Sequence, residues 1–216
     1  PPASPAATTT AASVGVYTES DIANNTAGTR LEYTTHMHGA AQGRGDYLIS
    51  TVRDAATEST LPDRVAVYKA EAGVFTEQEI FAETCPGLHG SAQNENKIAF
   101  GCTDGVLVIT QNGDNFTAAK IANPTSFTGT TRIGTVLGDE GLEQFVGIAA
   151  GQFFALDTAA ASVTAINWLD TSLATPPTAL AYGFADAGEL FVILDNQGGL
   201  TVIHTHDWAV VDRLQV

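Results

Sequence analysis

The sequence repeats itself at intervals of about 47 residues, and this repeat restricts the possible folds more than any other feature. Similar short β-rich runs start at Gly105, Gly151 and Gly199, at offsets of 46 and 48 residues. An earlier member starts at Arg64, in a repeat that is lengthened by the loop at 55–62. A repeat of this length, made of short β-strands, is typical of β-propeller blades.

Further β-rich runs flank the last three members of this series. They lie at 98–101, 145–149 and 190–194 before the repeated run, and at 116–121, 162–166 and 208–214 after it. We therefore predict an all-β protein, a β-propeller with about four blades in this chain. A β-sandwich ranks second, because it would not repeat at this spacing. Propellers have about four to eight blades and four is a rare minimum, so we expect this chain to be part of a larger, seven- or eight-bladed propeller.

The first residues differ in composition from the repeats. Residues 1–13 are rich in Pro, Ala and Thr, and they lack the apolar residues that folding requires, so we expect a disordered segment there. Residues 14–216 are assigned to the blades, as part of one domain.

The charge of the chain excludes two classes of partner. It has 9 Lys and Arg against 24 Asp and Glu, a net charge of −15. Such a protein repels nucleic acid and anionic lipid, so we expect neither as a partner. No apolar run approaches the roughly 20 residues of a membrane-spanning helix, so membrane insertion is not expected. The same charge attracts cations, although its simplest role is solubility.

Cys85 and Cys102 are the only cysteines, and they flank the loop that carries His89. They lie 17 positions apart with no CxxC motif, which favours a disulfide bond over a thiol redox pair. A disulfide indicates an oxidising compartment: the periplasm, the cell surface or the secreted space. The Asp104–Gly105 pair between two β-rich runs predicts a hairpin next to Cys102.

Three histidines occupy related positions ahead of predicted strands. His38–Gly39 and His89–Gly90 each lie nine residues before a β-rich run, and His36 lies on the same strand face as His38. We expect the two His-Gly pairs to precede the innermost strands of adjacent blades, where they would face each other near the propeller axis. Imidazoles are good Zn²⁺ ligands, so His36, His38 and His89 are a candidate zinc site. Channel histidines that bind water are an equally good interpretation.

The other blades differ at the matching place. We predict that Leu137–Gly138 takes it in the third blade and Tyr182–Gly183 in the fourth, so the histidines are not part of the scaffold. A weaker, secondary metal site is predicted at His204 and His206, in the segment His-Thr-His-Asp before the last strand. In the other blades this place is an ordinary hairpin turn.

The segments HMHG, TCPGLHG and KIAFGC, together with the blade repeat, resemble the AztD-type periplasmic zinc chaperones. The resemblance implies a periplasmic β-propeller that binds Zn²⁺ and delivers it to the solute-binding protein of a zinc ABC transporter. It also implies that His36, His38 and His89 are zinc ligands and that Cys85 and Cys102 form a structural disulfide. Members of that family are about twice as long, so we expect this chain to be an N-terminal portion of such a protein. The His-rich N-terminal segment expected of these chaperones is missing from residues 1–13.

Three functions follow from these observations. The first is a periplasmic zinc chaperone that holds Zn²⁺ and transfers it to a solute-binding protein. The alternative is a metal-free propeller binding module or cell-surface scaffold. A propeller hydrolase is a third possibility, but such enzymes use carboxylate and Asn ligands, for which we find no set. We therefore expect no enzymatic activity.

Overall fold

The computed structural model describes residues 12–35, 38–52 and 61–216, and almost all regular structure in them is β-strand. The chain divides into two compact units, residues 1–87 and 88–216. Within the described residues, none of the helices is long and apolar enough to cross a membrane.

The first unit contains one six-stranded sheet and one short helix. The elements are β1 (Ser13–Val16), α1 (Glu19–Asn24), β2 (Thr29–Glu32), β3 (Ala41–Arg44), β4 (Tyr47–Val52), β5 (Arg64–Glu71) and β6 (Val74–Ile80). Strands β3 to β6 form an antiparallel meander, and the antiparallel pair β1–β2 joins it at β6. The β2–β6 contact is parallel, with Arg30 opposite Val74.

Helix α1 was not predicted, although its start has a recognisable sequence signal. The Thr18 hydroxyl accepts a hydrogen bond from the Asp21 N–H, and the Asp21 carboxylate accepts one from the Thr18 N–H. This reciprocal capping box satisfies two main-chain donors at the start of the helix. The hydrogen bonds that the Thr18 hydroxyl and the Thr18 N–H donate to the carboxylate hold the pKa of Asp21 below its usual value.

The second unit consists of three four-stranded antiparallel meanders. The first contains β7 (Ser91–Gln93), β8 (Lys97–Gly101), β9 (Gly105–Asn112) and β10 (Asn115–Ala122). The second contains β11 (Thr135–Leu137), β12 (Phe145–Ala149), β13 (Gln152–Asp157) and β14 (Ser162–Ala165). The third contains β15 (Ala179–Ala185), β16 (Leu190–Asp195), β17 (Gly199–His204) and β18 (Ala209–Gln215). The last three strands of each sheet are those that the 47-residue repeat predicts, with boundaries within a few residues, whereas the first strands β7, β11 and β15 had no predicted range.

The position of each strand in its sheet explains its sequence. The middle strand β8 and the first five residues of β9 are almost completely buried, which accounts for their continuous apolar runs. The edge strand β10 alternates between exposed and less exposed residues, because only one of its faces is covered. The predicted hairpin at Asp104–Gly105 joins β8 to β9, and a Cβ atom at Gly105 would lie 2.0 Å from the Ile121 carbonyl oxygen. Only glycine fits there.

Two apolar clusters hold the three sheets of the second unit together. The first joins the β7–β10 sheet to the β11–β14 sheet; its fully buried members include Ile133 and Phe145. The second joins the β11–β14 sheet to the β15–β18 sheet. There Phe153 packs edge to face on Phe191, with ring centroids 5.7 Å apart. Each fully buried side chain of this size contributes about 1.5–3 kcal/mol to folding.

Candidate metal sites

The main chain around His89 continues the pairing of β7 with β8. The His89 N–H donates to the Gly101 carbonyl at 2.9 Å, and the Gly101 N–H donates to the Gly90 carbonyl at 3.1 Å. Leu88, immediately before the histidine, is fully buried. The backbone of His89 is therefore held almost as rigidly as that of a strand residue.

The His89 side chain is held as well. Its Nδ1 atom lies 2.8 Å from the Gly134 carbonyl oxygen, which can only accept a hydrogen bond. Nδ1 therefore carries the proton, and Nε2 is the ring nitrogen whose lone pair can bind a metal. Histidines that bind metals commonly donate their second ring N–H to a carbonyl or carboxylate, which orients the ring. The geometry of His89 has this form.

Of the other two predicted zinc ligands, the structure describes His38 but not His36. His38 is exposed and belongs to the first unit, whereas His89 is half-buried and belongs to the second. The two occupy equivalent positions in their hairpins: each lies four residues before a glutamine that pairs with an isoleucine, Gln42 with Ile49 and Gln93 with Ile98. His36 lies outside the described residues.

The predicted register of the third and fourth blades was wrong. Leu137 is the last residue of β11, and Tyr182 and Gly183 lie inside β15, so neither pair precedes its strand. In the third blade the place two residues before the strand belongs to Ile133, which is fully buried. Aligning the repeats of the sequence did not identify this position, because Ile133 is apolar and chemically unlike His89.

The two cysteines are disulfide-bonded, as predicted. Both are fully buried. The Cys85 N–H donates to the Asp63 carbonyl at 2.6 Å, and the Cys102 N–H donates to the Gly105 carbonyl at 2.8 Å. Main-chain hydrogen bonds therefore hold both ends of the bridge that flanks the histidine-bearing loop.

The secondary candidates, His204 and His206, lie at the turn between β17 and β18. Together with Asp207 they form a group whose ligand atoms all lie within 4.8 Å of one another, the one such group of three among the residues that the structure describes. Asp207 Oδ1 is 3.8 Å from His204 Nδ1, and Asp207 Oδ2 is 3.9 Å from His206 Nδ1. The two imidazole centroids are 5.3 Å apart.

Glu189 also faces this group, and sequence reasoning did not identify it. Its Oε2 atom lies 3.9 Å from His204 Nε2, whereas Asp207 approaches the Nδ1 atom of the same ring. Glu189 is 15 residues away in the sequence, and it approaches His204 because β16 and β17 pair, with Leu190 opposite His204. No spacing rule within one hairpin turn could have found it.

Comparison with known proteins gives one curated relative and several similar structures. No protein-family model matches the chain. The chain is 26% identical to the zinc chaperone AztD of Citrobacter koseri over 122 residues, which is 55% of this chain and 27% of that protein. Because the match covers only 27% of the relative, most of that protein has no counterpart in this alignment.

The structural similarity covers more of the chain. A crystal structure of Citrobacter koseri AztD matches 94% of this chain and 52% of its own, with a TM-score of 0.76 and 20% identity. The apo form of that protein matches 94% of this chain and 53% of its own, with a TM-score of 0.75 and 20% identity. The β-propeller domain of Myceliophteria thermophila Cps50 (Swd1) matches 85% of this chain and 57% of its own, with a TM-score of 0.53 and 11% identity.

These likenesses establish the fold. The four described sheets are β-propeller blades, as predicted, and the chain spans about half the length of the AztD structures that it matches. The predicted resemblance to AztD-type proteins is therefore confirmed, both in sequence and in fold.

Proposed function

We propose that this chain is the zinc-binding part of a periplasmic zinc chaperone, which holds Zn²⁺ and passes it to the solute-binding protein of a zinc ABC transporter. The observation that carries this proposal is the sequence similarity to the zinc chaperone AztD over 122 residues. The proposed role is binding and transfer, in which no substrate bond is broken.

The geometry of His89 supports zinc binding. Its Nδ1–H donates to the Gly134 carbonyl, so the ring is oriented before any metal arrives and Nε2 is the ligand atom. We assign His36 and His38 as the partners of His89 in the zinc site, on the basis of the family resemblance. Neutral imidazole nitrogens are ordinary zinc ligands at about 2.0–2.1 Å.

The proposed transfer proceeds by ligand exchange. Ligands of the acceptor replace those of the donor one at a time, so that Zn²⁺ is never released as the free ion. Two properties of the chain are compatible with an extracytoplasmic location for this reaction. The buried disulfide suits an oxidising compartment, and the net charge of −15 favours the approach of a divalent cation.

Zinc binding is tested by elemental analysis and by titration against a chromophoric chelator. We expect bound zinc in the wild-type chain and the loss of one equivalent of it in the His38→Ala/His89→Ala variant. Asn96→Ala, an exposed position in the hairpin that follows His89, is the control and should retain the metal. Affinity should also fall on acidification, because protons compete with zinc for imidazole nitrogens. If neither the wild type nor the control binds zinc, the metal-free binding module replaces this proposal.

Transfer is tested separately, by mixing the zinc-loaded chain with the purified apo solute-binding protein. Direct exchange predicts a transfer rate that rises with acceptor concentration and exceeds the rate at which a chelator removes zinc. A rate equal to spontaneous dissociation, independent of the acceptor, would contradict the chaperone role while leaving zinc binding intact.

A further inference from the structure

We propose that His204, His206 and Asp207 form a second zinc site at the β17–β18 turn, with three protein ligands and an open fourth position. The choice of zinc as the metal depends on the proposed function above. The geometry of the site is independent of the proposed function, because none of its residues belongs to the candidate site at His89.

The two histidines lie close together where the strand ends. His204 is the last residue of β17, His206 is in the turn that follows it, and their ring centroids are 5.3 Å apart. Between them Thr205 is buried, and its hydroxyl donates to the Gly188 carbonyl at 2.6 Å. The Thr205 N–H donates to the Glu189 carbonyl at 3.0 Å. The buried threonine therefore directs both imidazoles away from the core.

The distances suit a tetrahedral ion after a small closure. Zn–N bonds of about 2.0–2.1 Å imply neighbouring ligand atoms roughly 3.4 Å apart in a tetrahedron. Asp207 Oδ1 is 3.8 Å from His204 Nδ1 and Asp207 Oδ2 is 3.9 Å from His206 Nδ1, and one ligand atom from each of the three residues lies within 4.8 Å of the other two. Closure from 4.8 Å or less to about 3.4 Å is within the reach of side-chain rotation.

The backbone of the turn is held by contacts that do not involve the ligand atoms. The Trp208 N–H donates to the His204 carbonyl at 2.8 Å, and the Trp208 indole N–H donates to the Gln144 side-chain oxygen at 2.7 Å. The indole also packs against Phe191, with ring centroids 6.4 Å apart. Binding at this turn therefore requires little ordering of the backbone, which lowers the entropic cost of coordination.

Asp207 has a geometry that serves both the turn and a metal. Its Oδ1 atom accepts a hydrogen bond from the Ala209 N–H at 3.0 Å, while Oδ2 faces His206. The aspartate of the β13–β14 turn, Asp157, accepts from two main-chain N–H groups, those of Ala159 and Ala160, through one oxygen. That turn contains no histidine, so it lacks the nitrogen ligands.

Carboxylates surround the site. Glu189 Oε2 lies 3.9 Å from Nε2 of His204, and a side-chain rotation that shortened this distance to a hydrogen bond would give the carboxylate–histidine–metal arrangement common in zinc sites. On the other side His206 borders a cavity of about 290 Å³ that is also lined by Glu143 and Asp157. These acids produce a negative potential that favours a divalent cation.

The exposure of the site suggests its use. The side chains of His206 and Asp207 are 75% and 52% exposed, so both solvent and a partner protein can reach the ion. A three-ligand site leaves a position for water or for an incoming ligand. We therefore infer that zinc exchanges faster here than at a buried site.

The experiment is a zinc titration of the wild-type chain, followed by elemental analysis and by NMR of the histidine ring nitrogens. Zinc should shift the ring signals of His204 and His206, and the His204→Ala/His206→Ala variant should lose one equivalent of zinc. Asp207→Asn keeps an oxygen for the Ala209 N–H, so the turn should remain folded. It should still lower the affinity at least tenfold, since even changes to residues that only orient a ligand cost about 10–100-fold. The matched control is Asp114→Asn, the same charge change in the β9–β10 turn.

The outcomes distinguish this site from the proposed function. Two equivalents, one lost with His204 and His206 and one with His38 and His89, would support both. One equivalent lost only with His38 and His89 would overturn the second site alone. One equivalent lost only with His204 and His206 would support the second site and overturn the His89 site. No ring shift and no bound zinc would overturn both. Circular dichroism confirms that each variant is folded.

Discussion

The imidazole Nδ1 of His89 donates a hydrogen bond to the main-chain carbonyl of Gly134, 2.8 Å away and 45 residues later in the chain. The two residues are at similar places in consecutive sheets, because His89 lies just before β7 and Gly134 just before β11. Sheet packing in the second unit therefore orients the histidine, and disturbing that packing should disturb the ring.

Gly90→Ala should destabilise the fold and weaken zinc binding at His89. Gly90 has a φ of +76°, and a Cβ atom there would lie 2.6 Å from the Gly134 carbonyl oxygen that His89 contacts. We expect a loss of about 2–4 kcal/mol in unfolding free energy, from the left-handed backbone and the clash together. Urea denaturation measures the stability and a chelator competition measures the affinity.

The matched control is Gly113→Ala. Gly113 has a φ of +58°, but no atom lies within 4 Å of the place that a Cβ atom would take. This variant therefore isolates the backbone cost of about 1–2 kcal/mol. Equal losses of unfolding free energy in the two variants would show that the clash with Gly134 does not contribute to the destabilisation.

Reduction of the Cys85–Cys102 bond should lower the stability of the protein by roughly 3 kcal/mol, because the reduced unfolded chain gains conformational freedom. The Cys85→Ser/Cys102→Ser variant should show the same loss in urea denaturation. A reductant should destabilise the wild type and leave the variant unchanged. Equal midpoints for oxidised and reduced wild type would contradict this expectation.

Asn94→Ala should cost at least about 2 kcal/mol. Asn94 is buried; its amide donates to the carbonyls of Leu142 and Glu143 at 3.0 Å, and its side-chain oxygen accepts from the N–H groups of Asn96 and Lys97. Truncation removes four part-buried hydrogen bonds, each of which contributes about 0.5–1.5 kcal/mol to stability. Thermal or urea denaturation gives the loss. The exposed Asn112→Ala should change stability by less than about 0.5 kcal/mol.

Alkaline pH should destabilise the first unit through two tyrosines. Burial raises the pKa of Tyr33 and of Tyr68 above the ordinary value of 10.0. The folded protein therefore keeps both protons at pH values where the unfolded chain has lost them. The resulting stabilisation is complete below about pH 10 and is lost as the pH rises towards the raised values.

The measurement is the urea midpoint between about pH 8 and pH 11, the range in which an unfolded tyrosine titrates. Tyr68→Phe should reduce the alkaline decline, because its side chain no longer ionises in the unfolded chain. Tyr17→Phe, at an exposed position, serves as the control. A decline that is identical in all three proteins would assign it to other groups.

The residues of the proposed zinc site illustrate how far a comparison of the repeats within one sequence reaches. The recurrence of His-Gly at His38 and His89 was visible because both the residues and their distance to the next strand recur. The matching place in the third blade was misassigned, because Ile133 is apolar and fully buried there. Ile133 occupies the position in its blade that His89 occupies in the preceding one. Its side chain only packs in the core, so its residue type does not mark it as equivalent to a histidine.

The sequence by itself determined the last three strands of each sheet in the second unit, their order and the disulfide, because these depend on apolar runs, on turn residues and on a repeat that is periodic along the chain. Only the tertiary structure decided which side chains meet. The contact of His89 with Gly134 arises between two sheets, and that of Glu189 with His204 arises between two paired strands. Neither contact has a fixed spacing along the chain, because each depends on how sheets pack and how strands align in register.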